Sequence, residues 1–178
     1  MIPNNTPAKS CCHTPQKNED KIREFQPLII ALSLVVLWTI FRTAETQMLH
    51  LHAILQNFMA GFFLIFGTLK ILGWAGFVET FRRYDPLGQI SVTYAYIYPL
   101  LEFLLGLSFL FNTLLVPANL ITIFILSVNA LGVWKVIRDK QQIKCACLGG
   151  WFQLPISWIT LVEDLIMVIM AATMLFIK

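Results

Sequence analysis

The chain has 178 residues, of which 57% are hydrophobic and only 13% charged, with 13 Lys+Arg against 10 Asp+Glu for a net charge of +3. A soluble domain carries about 25% charged residues, so this composition, with a mean hydropathy of +0.71, excludes a disordered chain and a nucleic-acid binder and argues against an ordinary soluble enzyme. One domain fits the length, and at about 20 residues per crossing it has room for several membrane helices.

In chain order, residues 1–26 come first. They are polar, hold seven charged residues together with Pro3, Pro7 and Pro15, and read as a flexible tail. Pro27 then opens a helix at a position where proline is tolerated. Leu28 to Phe41 is uncharged, and Arg42 closes the run and can snorkel outward. A signal-peptide core is the competing reading. The long polar stretch before it and the poor cleavage site Phe41-Arg42-Thr43-Ala44-Glu45 count against that.

Four longer apolar runs follow, at 54–77, 94–111, 114–136 and 155–177, and with 27–44 they make five expected spans. Each is apolar on all sides, as a membrane span requires. Asn112-Thr113 marks a tight turn between the third and fourth. The sequence thus predicts an all-α integral membrane protein: a tail at 1–26 and a helical membrane domain at 27–178.

Lys and Arg fix the expected orientation. The tail, the 2–3 connection (counted with Lys70, Arg82 and Arg83) and the 4–5 connection hold eleven, and the other side holds two, Arg42 and Lys178. The positive-inside rule then puts the N-terminus in the cytoplasm.

The four cysteines form two pairs, Cys11-Cys12 followed by His13, and Cys145-Ala146-Cys147. The expected topology puts both pairs on the cytoplasmic side, where thiols stay reduced, which favours metal binding or thiol redox over structural disulfides. Lys144 precedes Cys145, and a neighbouring cation raises the thiolate fraction. Two thiolates one residue apart suit a soft metal such as Cu(I) or Zn(II), or dithiol–disulfide exchange. The plainer reading is two small interfacial hydrophobes. Cys11, Cys12 and His13 supply three metal-competent ligands on the tail, and an incidental tail sequence is the alternative. On the opposite side, Met48, His50 and His52 share a face if their segment is extended, a weak candidate metal entry point. An interfacial loop with solvated histidines competes with it. Met167, Met170 and Met174, at helical spacing, read as packing.

Ionisable residues inside spans are costly and are functional candidates by default. At a rise of about 1.5 Å per residue, Glu102 and Glu163 lie about 12 Å below the cytoplasmic interface, and Lys70 and Asn129 about 10 Å. Four helices therefore bring polar groups to one level. Asp164 is turned about 100° from Glu163 on a helix and is not expected to share its direction. Lys70 is expected to pair with Glu102 or Glu163, since an unpaired buried charge neutralises. A structural ion pair that fixes helix register competes with a proton relay or a pocket for a polar or metal-bearing ligand. Tyr84, Tyr94, Tyr96 and Tyr98 gather at the same end, with Tyr98 within reach of the cluster.

The run Phe58-Met-Ala-Gly61-Phe-Phe-Leu-Ile-Phe-Gly67-Thr-Leu-Lys70, the segment Tyr96-Ile-Tyr-Pro-Leu-Leu-Glu102 with Gly106, the loop Cys145-Ala-Cys147-Leu-Gly149 and the segment Thr160-Leu-Val-Glu163-Asp164-Leu together resemble the MauE/DoxX-type membrane proteins. The similarity covers roughly residues 54–177 and is closest to the redox-associated, MauE-like branch. It implies a four-helix membrane core, here with one leading helix, in a bacterial inner membrane. It also implies a role in processing or maturing the disulfide-rich small subunit of methylamine dehydrogenase, and it points to Lys70, Glu102, Cys145, Cys147, Glu163 and Asp164.

The leading expectation is an accessory protein of thiol redox chemistry, with Cys145 and Cys147 as the dithiol and a redox partner protein. Quinone is a candidate electron acceptor. A soft-metal (Cu, Hg or Zn) transporter or chaperone, working with a metal-handling partner, and a structural subunit of a membrane complex are the competing classes.

Overall fold

The computed structural model describes residues 19–46, 50–140 and 158–176, and every regular element among them is helical. The order is α1 (Glu19–Thr46), α2 (Leu51–Leu72), α3 (Trp74–Tyr84), α4 (Pro86–Ile90), α5 (Val92–Leu110), α6 (Leu115–Arg138) and α7 (Trp158–Phe176). Among the described residues four stretches are long and apolar enough to cross a membrane: Gln26–Glu45 within α1, Leu51–Leu72, Val92–Leu110 and Leu115–Arg138. The protein is thus an all-helical, multi-pass membrane protein.

Two helices differ from the sequence expectation. Pro27 lies inside α1 rather than at its start, because the helix already runs from Glu19. A proline there leaves one backbone carbonyl without its usual donor. The run expected to span 54–77 is two helices. α2 stops at Leu72, Gly73 caps it by donating its N–H to the Leu69 carbonyl at 3.1 Å, and α3 begins at Trp74. Glycine resists a helix interior because it loses the most backbone freedom there. Beyond it the pattern changes: Phe77, Val78, Phe81 and Tyr84 are buried, while Glu79, Arg82 and Arg83 are exposed. Such a two-faced helix suits packing on other helices, not crossing lipid. α3 indeed packs on α5 and α6.

Short polar caps set the next starts. Asp85 Oδ1 accepts the Gly88 N–H at 2.7 Å ahead of Pro86, the first residue of α4, and Ser91 Oγ accepts the Tyr94 N–H at 3.3 Å to open α5. Asp85 is fully buried, and that burial raises its carboxyl above the ordinary range against the lowering pull of the Gly88 and Leu87 N–H groups. Between α5 and α6 the turn at Asn112-Thr113 forms as expected, with Asn112 and Leu114 both in the left-handed region.

The main pairings are α2 with α5, α6 with α7, and α1 with α2. Small residues let these helices approach closely, the usual device where lipid supplies no hydrophobic drive for association. A side chain at Gly106 would meet the Leu64 backbone nitrogen at 2.9 Å, and one at Gly67 would meet Phe103 N at 3.1 Å. Gln56 adds a tie by donating to the Phe109 carbonyl at 2.7 Å.

Two apolar cores result. One gathers Val35, Met59, Phe63, Phe109, Met167 and Ala171 from the α1, α2, α5 and α7 side. The other gathers Phe77, Phe81, Tyr98, Val133 and Leu161 where α3 meets α5, α6 and α7. Met167 and Met174 are buried in the first core and Met170 packs against it, so the methionine stripe is packing.

Candidate functional site

Polar side chains from α2, α5, α6 and α7 meet between the two apolar cores. Lys70, in the last turn of α2, places Nζ 2.6 Å from both Oε1 and Oε2 of Glu102 on α5. Both side chains are almost wholly enclosed. The ammonium also lies 5.2 Å from the centroid of the Tyr98 ring and 5.6 Å from that of Phe77, within the range of cation–π attraction. The close α2–α5 packing over Gly67 and Gly106 brings these two helices into reach of each other.

A second pair joins α6 to α7: Asn129 Nδ2 donates to Asp164 Oδ2 at 2.8 Å. Beside it, Glu163 Oε1 and Asn129 Oδ1 are fully enclosed and have no hydrogen-bond partner among the described residues. A cavity of about 20 Å³ lies among these groups. Lys70, Tyr98, Glu102, Asn129, Glu163 and Asp164 line it, and Phe62, Phe66, Phe81, Tyr84 and Leu126 complete the wall. That volume accommodates one water molecule. Three carboxylates share it with one ammonium.

Lys70, Glu102, Asn129 and Glu163 thus line one cavity, as groups at one level would, and Lys70 takes Glu102 as its partner, although Lys70 sits in the last turn of α2 and not seven residues inside a helix running to Phe77. Asp164 departs from expectation. Adjacent helical residues diverge, but α7 is buried against both α2 and α6, so Glu163 and Asp164 meet the same cavity from the two sides of α7's inner face. Of the tyrosines, Tyr84 and Tyr98 line the cavity, while Tyr96 is exposed.

The sequence did not single out Phe81 and Tyr84 as cavity walls. Their signal was present in the amphipathic spacing that follows Gly73, hidden because the apolar run continues through that glycine.

The remaining candidates stand elsewhere. Cys11, Cys12, His13, Met48, Cys145 and Cys147 lie outside the described residues. His50 is exposed at the N-cap of α2, and His52 already belongs to the first turn of that helix. The two-residue repeat of an extended segment does not apply once the chain turns helical, so the expected alignment of His50 with His52 is replaced by a helix start.

α6 and α7 run antiparallel. The Trp134 and Trp158 rings meet edge-on at 5.7 Å, so α6 ends and α7 begins at the cavity's end of the bundle. Chemically, the arrangement can lock helix register and can hold a water molecule or a proton. Among the described residues no group of three or more His, Cys, Asp or Glu is placed to hold a metal ion.

The family model described as methylamine utilisation protein MauE matches residues 48–177. The matched stretch includes the cavity residues, Cys145 and Cys147, and excludes Cys11, Cys12 and His13. No curated protein and no solved structure matches the chain.

Proposed function

The chain belongs to the MauE family, and from that premise we propose that it is an inner-membrane accessory protein of methylamine utilisation that matures a disulfide-containing partner, with Cys145 and Cys147 as its working dithiol. The partner that the family resemblance points to is the small subunit of methylamine dehydrogenase. The chemistry is thiol–disulfide exchange. One thiolate attacks a partner disulfide and forms a mixed disulfide, and the second displaces the partner's remaining sulfur. The dithiol ends as a disulfide and the partner gains two thiols; the reverse reaction oxidises the partner and restores the dithiol.

The observation that carries this reading is the extent of the family match. It takes in the Cys145–Cys147 pair and leaves the cysteine-bearing tail outside, which supports the first pair as the shared working group and the second as an accessory of this chain. In this reading α7 is a fifth crossing, the N-terminus is cytoplasmic, and the cavity cluster is the frame that holds the ends of α6 and α7 on either side of the dithiol.

The test uses purified protein in detergent. Thiols are alkylated and counted by mass before and after dithiothreitol, and bound metal is measured in the same sample. The expected result is a metal-free protein in which Cys145 and Cys147 cycle together, and a double Cys145→Ser/Cys147→Ser variant that fails to mature the partner in cells. About one Cu or Zn per chain, lost in Cys145→Ser, would replace redox with soft-metal handling. Normal maturation in the double variant would sink both.

A further inference from the structure

The cavity between α2, α5, α6 and α7 has a hydrogen-bond deficit of a particular kind. Asn129 is only 8% exposed, and its Oδ1 is enclosed with no donor among the described residues. Glu163 Oε1 is enclosed and lacks a donor among the same residues as well. Both are acceptors when Glu163 is ionised, so neither can satisfy the other. Buried polar atoms left unpaired are costly. The space of about 20 Å³ that both residues line is large enough for one water molecule and too small for a substrate.

Charge adds a second deficit. The groups that face Glu163 are Lys70 from α2, Tyr84 from α3, Tyr98 and Glu102 from α5, Asn129 from α6, and Asp164 beside it on α7. Fully ionised, three carboxylates would surround a single ammonium. An uncompensated charge in such surroundings neutralises by binding a proton rather than staying ionised. Among the described residues, the hydrogen bonds distinguish the three carboxyls. Both oxygens of Glu102 are held by Lys70. Asp164 accepts from the Asn129 amide, and a donated hydrogen bond favours the ionised form. Glu163 Oε1 has neither among the described residues.

We propose that this cavity is a proton-holding site: one water molecule donates to Asn129 Oδ1, and Glu163 carries an exchangeable proton taken from solvent at neutral pH. Tyr98 and the aromatic wall keep the site small, Lys70 neutralises Glu102, and Asp164 is left as the one remaining charge, held by the Asn129 amide. The site needs no cysteine and stands independently of the dithiol.

Infrared spectroscopy of the full chain in lipid nanodiscs tests it. The expected spectrum at neutral pH contains the C=O stretch of a protonated carboxylic acid, shifted in D₂O. ¹³C-glutamate labelling should move that band, ¹³C-aspartate labelling should not, and Glu163→Gln should remove it. The labelling arm uses the unaltered sequence, so it separates a glutamate from Asp164 even if the variant does not fold. No such band, a band that follows the aspartate label, or a band that survives in a folded Glu163→Gln protein would overturn the assignment. So would a band that vanishes when choline is exchanged for Na⁺, which would make the cavity a cation site. The same spectra from the Cys145→Ser/Cys147→Ser protein should be unchanged, which separates failure here from failure of the dithiol reading.

Discussion

Lys70 carries a positive charge into a stretch that is otherwise apolar on every side, and its two 2.6 Å contacts with Glu102 are what make that tolerable. Removing one partner leaves the other charge buried and alone, which costs about 3–5 kcal/mol. Lys70→Met and Glu102→Leu should each lower the thermal midpoint in detergent sharply. The double variant should recover most of the loss, because a buried pair replaced by apolar groups of similar size is close to neutral. A double variant no better than either single change would show that the two residues act separately. At this scale the sequence was informative. A charge inside an apolar run is conspicuous, and counting along each run brought Lys70, Glu102, Asn129 and Glu163 to one level, although the count for Lys70 began at Phe77 and α2 ends at Leu72. The direction of a side chain does not: Asp164 was placed away from Glu163 because rotation along one helix is legible, whereas the helices packed on both sides of it are not.

Among the elements, α3 and α4 are where composition misled. Trp74, Ala75 and Phe77 extend the apolar run past Gly73, so hydropathy reads a single long span. The break comes from glycine and the exposed face of Glu79, Arg82 and Arg83, a pattern of direction that hydropathy does not register. The short helices reach the bundle because α6 presents Gly132 to them. A β-carbon at that position would run into the Tyr84 backbone carbonyl, with Pro86 Cδ 3.0 Å away. A carbonyl in a capped turn cannot swing aside as a side-chain end can. Gly132→Ala should therefore displace the α3–α4 segment and cost about 1–3 kcal/mol from overcrowding, even though alanine favours a helix by about 1 kcal/mol. Limited trypsin digestion reads the displacement as faster cleavage after Arg82 and Arg83, against an exposed neighbour, Leu131→Ala, as control. Equal cleavage in the two variants would mean that α6 does not hold α3 in place.

For the whole molecule, the distribution of charge carries more than its sum. Of the eleven basic residues assigned by sequence to one side, Lys70 is buried in the cavity, so ten remain against Arg42 and Lys178 opposite. Arg42 is further offset by Glu45 at 3.1 Å. The asymmetry survives this correction and still favours a cytoplasmic N-terminus. Because α5 and α6 run in opposite directions through a turn at Asn112-Thr113, Asn112 and Lys140 must lie at opposite ends of α6. That supplies an internal control for topology. In cells expressing a cysteine-free background, Asn112→Cys should react with a membrane-impermeant maleimide from outside, and Lys140→Cys only after permeabilisation. The reverse pattern would turn the bundle over without altering any contact within it. The cavity would then sit beneath the outer surface, and Cys145 and Cys147 would face a compartment in which disulfides persist. Exchange chemistry would remain available to them there, but with oxidation of the partner, rather than reduction, as the favoured direction.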